Sequence, residues 1–176
     1  MPSPLLHSVS GYILSELLPQ VKLSTTKSSN WYIQFFYPVL VATCADFDFI
    51  PQIITGHKFH RGPTHSILFA LIFSISLGIL INYLWKGWYR KIFCSILILY
   101  SSHLFLDFFT SQGIPLLWPL INIRLKSPIS IFPGVHHSQG LFHYSHLIFI
   151  IFEISCSLLA LWALWKWKKS KIQLNQ

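Results

Sequence analysis

The three aspartates of the chain lie in or beside segments apolar enough to enter a lipid bilayer, and histidines accompany them. They are Asp46, Asp48 and Asp107. A carboxylate held away from water costs on the order of several kcal/mol unless a partner, a proton or a metal ion neutralises it. Imidazole and carboxylate groups together suit zinc, manganese or iron. These segments therefore indicate a metal site inside a membrane protein.

His103 and Asp107 are four residues apart, which places both side chains on one face of a helix, a turn apart. Both can point at the same ion. The alternative is a hydrogen-bonded pair that satisfies itself within a helical bundle.

Asp46 and Asp48 are two residues apart and cannot share a helical face. We expect them at a helix end or turn, where two carboxylates can converge on a cation and Pro51 helps to stop the helix. The alternative is an ordinary polar helix terminus.

His60 and His65 flank a turn sequence, Arg61-Gly62-Pro63-Thr64. Proline is well tolerated at the first helical position, so this spacing predicts that His65 lies in the first turn of a helix, with His60 folded back before it. The backbone N–H groups of such a helix start favour a phosphate or another anion, and Arg61 can add a bidentate contact.

Four separate segments are predicted to end on the same side of the membrane, and the first of them carries another histidine, His7. More than four ligands suggest two or more ions, and such ions generate a hydroxide near neutral pH and clamp phosphoryl oxygens. Asp46 or Asp48 would serve as base or bridging ligand, and Arg61 would bind the anion. The candidate metal ligands are His7, Asp46, Asp48, His60, His65, His103 and Asp107.

The composition is that of an integral membrane protein. Of 176 residues, 53% are hydrophobic and only 10% are charged, whereas soluble proteins have about 25% charged residues. The 20 residues from Ser66 to Trp85 carry no charge, enough to cross a hydrocarbon core of about 30 Å. We predict one all-α domain over residues 1–176, with about five helices. Spans are expected at 66–85, 92–107 and 146–167, with two further candidates at 31–45 and 5–18. The last of these carries Glu16 and could instead lie in the membrane interface.

The net charge of +8 is explained by basic residues that flank the spans, so nucleic acid is not an expected partner. Lys86, Arg90 and Lys91 lie between two central spans, and Lys166–Lys171 follow the last. The positive-inside rule places both regions, and the C-terminus, in the cytoplasm. The candidate ligands then lie on the extracytoplasmic side of a bacterial inner membrane, where lipids are partners.

The segment 113–145 is predicted to be an outer loop rich in proline and histidine. Its histidines are expected to be solvated or to face lipid headgroups, although one of them could complete the metal site. They are His136, His137, His143 and His146.

The sequence resembles the YdjM-like membrane-bound metal-dependent hydrolases over roughly residues 1–120. The resemblance rests on His7, on Asp46-x-Asp48, and on two long blocks at 60–66 and 102–119. It implies a helical membrane protein whose hydrolase site is carried by the seven candidate ligands. The chain departs from the family pattern at Ala45, where relatives often have proline, and at Pro63, where they usually have an apolar residue.

Three functions are compatible with these residues. The first is a hydrolase that uses one or more metal ions, with zinc expected, to cleave a phosphoester such as a lipid phosphate at the membrane surface. The second is a divalent-cation or proton transporter, which predicts ligands near mid-membrane. The third is a non-catalytic scaffold in which a metal ion ties helices together.

Overall fold

The computed structural model describes residues 3–18, 31–57, 60–86, 88–132 and 144–174. The chain divides into two compact units, Met1–Gly134 and Val135–Gln176. Within the described residues the secondary structure is helical, with isolated bridges and no strands. The α-helices are α1 (Pro4–Leu17), α2 (Trp31–Thr43), α3 (Phe49–Thr55), α4 (Ile67–Trp85), α5 (Tyr89–Phe108) and α6 (Tyr144–Leu174).

Within the part of the chain that the structure describes, four segments are long and apolar enough to cross a membrane. They are Trp31–Thr55, Ile67–Trp85, Tyr89–Phe108 and Ile148–Gln173. The prediction of an all-helical membrane bundle of about five helices is therefore confirmed. The remaining candidate, at residues 5–18, forms the 14-residue helix α1, which is shorter than the roughly 20 residues that a helical span needs.

Helix α5 packs against both α4 and α2. The contacts are made by aliphatic side chains, including Val41, Ile81 and Ile96, which are at most 7% exposed. Inside a bilayer such contacts stabilise the bundle through van der Waals packing and not through removal of the side chains from water. This packing holds the end of α5 close to the start of α4.

Helix α1 approaches α2 closely because Gly11 has no side chain. A Cβ at Gly11 would lie 2.6 Å from the Pro38 carbonyl oxygen and 2.6 Å from Ala42 Cβ. His7 is four residues before Gly11 and therefore shares its helix face. The close approach directs His7 towards the interior of the bundle, where it is fully buried.

A 3-10 turn, Cys44–Asp48, follows α2 and carries Asp46 and Asp48. This confirms the expected turn, but the predicted role of Pro51 is wrong. Pro51 lies in the first turn of α3, where a missing N–H costs little because first-turn N–H groups have no partner within the helix. The candidate span consequently continues to Thr55.

His65 belongs to a separate 3-10 turn, Pro63–His65, and not to the first turn of α4 as predicted. Ser66 is extended and caps α4, with its Oγ accepting a hydrogen bond from the Phe69 N–H at 3.2 Å. The Ile67 N–H donates to the Leu116 carbonyl at 3.0 Å. Two of the N–H groups expected to favour an anion are thus already hydrogen-bonded.

After α5 the chain returns over the helix end. Ile114 and Leu125 exchange backbone hydrogen bonds at 2.9 and 2.8 Å, and the Ser127 N–H donates to the Phe108 carbonyl at 2.9 Å. Gly113 has a φ of +65°, and a Cβ there would lie 2.6 Å from the Leu125 carbonyl oxygen. Only glycine fits this position without strain.

Helix α6 is a 31-residue helix that ends in alternating tryptophan and lysine. Lys166 Nζ lies 4.4 Å from the centre of the Trp162 ring, and Lys171 Nζ lies 4.3 Å from that of Trp167. Ammonium groups over indole rings suit the headgroup region of a bilayer.

Candidate metal centre

Four predicted ligands converge where α2, α4 and α5 meet. Asp46, His65, His103 and Asp107 each offer one ligand atom, and the four atoms lie within 4.8 Å of one another. His103 and Asp107 come from the end of α5, and the two others come from the 3-10 turns. The two histidines and Asp107 are fully buried, and the Asp46 side chain is 10% exposed.

The spacing of these atoms fits one ion. The Nε2 atoms of His65 and His103 are 3.3 Å apart. Asp46 Oδ1 is 3.7 Å from His65 Nε2 and 3.5 Å from His103 Nε2, and Asp107 Oδ2 is 3.3 and 3.7 Å from the same two atoms. A tetrahedron with metal–ligand bonds of about 2.0–2.2 Å has edges of about 3.3–3.6 Å. The donor set and its spacing therefore fit one divalent metal ion.

His103 is oriented by a backbone group. Its Nδ1 lies 2.8 Å from the Ala42 carbonyl oxygen. A carbonyl can only accept, so Nδ1 carries the proton and the Nε2 lone pair faces the cluster. This arrangement is typical of metal-binding histidines.

His65 is oriented by a carboxylate and a hydroxyl. Its Nδ1 lies 3.0 Å from Thr64 Oγ1 and 3.3 Å from Asp48 Oδ2. The Thr64 hydroxyl already donates to Asp48 Oδ2 at 2.6 Å, so His65 Nδ1 must be the donor to both. Nε2 is again left for an ion, as in carboxylate–histidine–metal arrangements.

Asp48 organises the segment that carries His65. Besides Thr64, it accepts hydrogen bonds from His60 Nδ1 at 2.7 Å and from the Arg61 backbone N–H at 3.1 Å. Arg61 has a φ of +59°, a left-handed conformation that costs a non-glycine residue about 1–3 kcal/mol. The bonds to Asp48 hold this turn. The structure places Asp48 and His60 beside the four-residue cluster, facing the Nδ1 side of His65.

Arg61 contacts Oδ1 of Asp107, whereas Oδ2 of the same carboxylate faces the cluster. Its Nη2 lies 3.3 Å from Asp107 Oδ1, and its Nη1 lies 3.4 Å from both the Gly113 carbonyl oxygen and Gln112 Oε1. Burial lowers the pKa of the guanidinium, and Asp107 offsets part of that effect, but arginine keeps its charge in proteins. Arg61 thus fixes the Asp107 carboxylate and supplies a positive charge next to the cluster.

His7 lies against the same side of the cluster as Arg61. Its ring stacks on that of His103 with 3.8 Å between ring centres, and its Nε2 is 3.7 Å from Asp107 Oδ1. Neither ring nitrogen has a hydrogen bond within the described residues. The structure thus places His7 beside the four-residue cluster and not in it. Its Nε2 faces Oδ1 of Asp107, the oxygen that points away from the cluster.

Unsatisfied polar atoms concentrate at this centre. Among the described residues, seven buried side-chain nitrogen or oxygen atoms lack a hydrogen bond, and six of them belong to His7, Asp46, Arg61 and Asp107. Such atoms are rare in folded proteins, because each costs about 1–3 kcal/mol. Asp46 Oδ1 and Asp107 Oδ2 are acceptors that face the Nε2 atoms of His65 and His103, so the cluster could hold a cation.

The electrostatics of His65 lead to the same conclusion. Burial lowers the pKa of this imidazole, but attraction to the carboxylates of Asp107, Asp46 and Asp48 outweighs burial and raises the pKa to about 10. Without a metal ion the carboxylates therefore retain a proton on His65. A divalent ion would replace that proton and supply the positive charge.

Two contributors to the centre were not identified from the sequence. The Ala42 carbonyl could not have been identified from the sequence, because every residue has a backbone carbonyl. Tyr100 could have been, since it is three residues before His103 on the same face of α5, and its hydroxyl donates to the Thr64 carbonyl at 2.7 Å. Of the histidines in the predicted outer loop, His136, His137 and His143 lie outside the described residues, and for His146 only the backbone, in α6, is described.

Comparison with known proteins gives a family match. The model of the family described as YdjM inner membrane protein matches residues 1–171. The match thus extends beyond the two sequence blocks to include most of α6. No curated protein and no solved structure matches the chain.

Proposed function

Because the chain belongs to the YdjM inner membrane protein family, we propose that its buried centre is that of a membrane-bound metal-dependent hydrolase that cleaves a phosphoester. The observation that carries this proposal is the cluster of two imidazole Nε2 atoms and two carboxylate oxygens at metal-ligand spacing. A divalent ion bound there would lower the pKa of a water molecule and polarise a phosphoryl oxygen.

The chain's own groups would bind and orient such a substrate. Arg61 places a guanidinium next to Asp107, where it would favour a phosphoryl group. Its Nε–H is buried and has no partner within the described residues, so a donor remains for an anion. Asp46, with no hydrogen bond on either oxygen in the same part of the chain, would accept a proton from water.

A lipid phosphate is the substrate that the surroundings favour. The centre lies at the start of one segment long enough to span a membrane, Ile67–Trp85, and at the end of another, Tyr89–Phe108. An apolar cleft of about 390 Å³, lined by Phe47, Phe69 and Phe73 among others, reaches Asp48 and Thr64. A hydrocarbon chain suits such a cleft, since it would remain in contact with apolar side chains.

The extracytoplasmic position rests on the distribution of charge. Lys86, Arg90 and Lys91 lie at the end of the α4–α5 pair opposite to the one that carries His65 and Asp107. The positive-inside rule assigns the basic end to the cytoplasm, so the centre and the C-terminus are proposed to lie on opposite sides of the inner membrane. A reporter fused after Gln176 that scored as extracytoplasmic would overturn this orientation.

A non-catalytic metal-stabilised scaffold is the second candidate function. It is favoured by the near-complete burial of four protein ligands, because structural zinc sites are usually closed. A transporter is less well supported, because the four ligand atoms gather at one end of the helices and not along a path through the bundle.

Activity of purified protein separates the first two functions. Detergent-purified protein loaded with zinc or manganese would be screened against phosphoesters, with and without a chelator. We expect turnover that the chelator removes and added metal restores, and that His65→Ala lacks. His57→Ala, which changes an exposed histidine, is the matched control. Protein that holds metal yet turns over no phosphoester would favour the scaffold.

A further inference from the structure

Three of the four cluster residues are held by a second contact. His103 donates to the Ala42 carbonyl at 2.8 Å, and His65 Nδ1 faces Thr64 Oγ1 at 3.0 Å. Asp107 has one oxygen on Arg61 at 3.3 Å, while the other faces the cluster. Such contacts fix the direction of a ligand before the ion binds.

Asp46 has no comparable support. Neither of its oxygens is hydrogen-bonded within the described residues. It is also the only one of the four with exposed side-chain surface, at 10% against 0% for the others. It lies on a 3-10 turn, whereas His103 and Asp107 are on the long helix α5.

The backbone on either side of Asp46 is nevertheless held in place by its neighbours. Ala45 is 1% exposed, and Asp48 is anchored by His60, Thr64 and the Arg61 N–H. The backbone on both sides of Asp46 is therefore held in place, whereas neither oxygen of its carboxylate has a hydrogen-bond partner within the described residues.

We propose that Asp46 is the exchangeable ligand of the centre, and that His65, His103 and Asp107 are its permanent ligands. This inference rests on the proposed hydrolase function. Catalytic zinc sites typically keep three protein ligands and leave the fourth position to water or substrate, whereas four fixed ligands close the site. A carboxylate that yields its position to water stays close enough to accept a proton from it.

Metal affinity is the first test. Zinc affinity would be measured by competition with a chromophoric chelator for wild type, Asp46→Ala and Asp107→Ala. We expect Asp46→Ala to lose roughly tenfold or less, and Asp107→Ala to lose more than roughly 100-fold. His103→Ala serves as a second permanent-ligand variant should Asp107→Ala fail to fold. Equal losses for Asp46→Ala and the permanent-ligand variants would overturn the proposal.

Water at the ion is the second test. Protein loaded with Mn²⁺ would be examined by pulsed EPR in D₂O, which counts exchangeable water on the ion. Asp46→Ala is expected to gain at least one exchangeable water relative to wild type, and an unchanged count would contradict the proposal. Wild type that binds no metal at all would refute the hydrolase function itself, whereas equal affinity losses would refute only the role of Asp46.

Discussion

The Nε2 atoms of His65 and His103 lie 3.3 Å apart, although the two residues come from different elements of the fold. Each ring has its Nδ1 occupied, His103 by the Ala42 carbonyl and His65 by Asp48 and Thr64. Both lone pairs are therefore directed to the same point. Two buried imidazoles at this distance would compete for a single proton, whereas an ion between them satisfies both.

Asp48→Asn should weaken metal binding by about 10–100-fold, although Asp48 is not among the four converging residues. Its carboxylate orients His65, and loss of such a partner typically costs that much affinity. Chelator competition would measure the change. Glu16→Gln, which removes another carboxylate from the chain, is the control and should bind like wild type. Unchanged affinity in Asp48→Asn would show that His65 needs no carboxylate partner.

Metal affinity should rise with pH. In the metal-free protein the pKa of His65 is raised to about 10, so below that pH the ring holds a proton that the ion must displace. The apparent association constant should increase roughly tenfold per pH unit from about pH 6.5 towards about 10. Calorimetry in buffers of different ionisation enthalpy would count the protons released. No proton release at pH 7 would be inconsistent with a protonated His65.

The same raised pKa has a consequence for stability without metal. A group whose folded-state pKa is above its unfolded-state value stabilises the fold fully below the unfolded value, about 6.5, and this contribution is lost as pH rises through about 10. The metal-free protein should therefore melt at a lower temperature at pH 9.5 than at pH 7. Metal-loaded protein should show less of this dependence, and His65→Ala should lack it.

Arg61→Met should destabilise the metal-free protein by about 3–5 kcal/mol, the usual cost of removing one partner from a buried ion pair. Arg61 is 2% exposed and Asp107 is fully buried, so water cannot replace the lost contact. The free energy of unfolding would be measured in a denaturing detergent titration. Arg90→Met changes an exposed arginine at the opposite end of α5 and should have little effect. Equal stability of the two variants would mean that the Arg61–Asp107 contact carries no energy.

Gly11→Val should destabilise the bundle by about 1–3 kcal/mol, because its first side-chain atom would lie 2.6 Å from the Pro38 carbonyl. It should also weaken the stacking of His7 on His103. Gly78→Ala is a matched control, since a Cβ there meets its nearest neighbour at an ordinary 3.4 Å. Thermal melting in detergent would separate the two, and a tolerated Gly11→Val would show that α1 can shift outward.

The long helices could be predicted because hydrocarbon thickness sets a simple length rule. The charge-free run from Ser66 to Trp85 corresponds closely to α4, Ile67–Trp85. The turn at Asp46 and Asp48 also followed from their spacing. The boundaries around Pro51 and His65 did not, because proline is compatible with both a helix stop and a first turn, and tertiary contacts decided between them.

The spacing of residues in the sequence also identified which side chains would lie close together. It did not show which of them would be metal ligands and which would orient the ligands. His103 and Asp107 share a helix face, and the structure places both in the cluster. Asp48 and His60 have the same chemical groups as the cluster residues, yet they face the outer side of the His65 ring. A sequence does not show which ring nitrogen or carboxylate oxygen points at an ion, so ligand and supporting partner cannot be separated without coordinates.

The metal content of purified protein tests the central claim most directly. Wild type, His103→Ala and His57→Ala would be equilibrated with zinc and freed of excess ion. The zinc bound per protein molecule would then be measured by elemental mass spectrometry. The structure predicts bound zinc in wild type and His57→Ala, and its loss in His103→Ala. Wild type without metal, or His103→Ala with the same content as wild type, would contradict a centre built from Asp46, His65, His103 and Asp107.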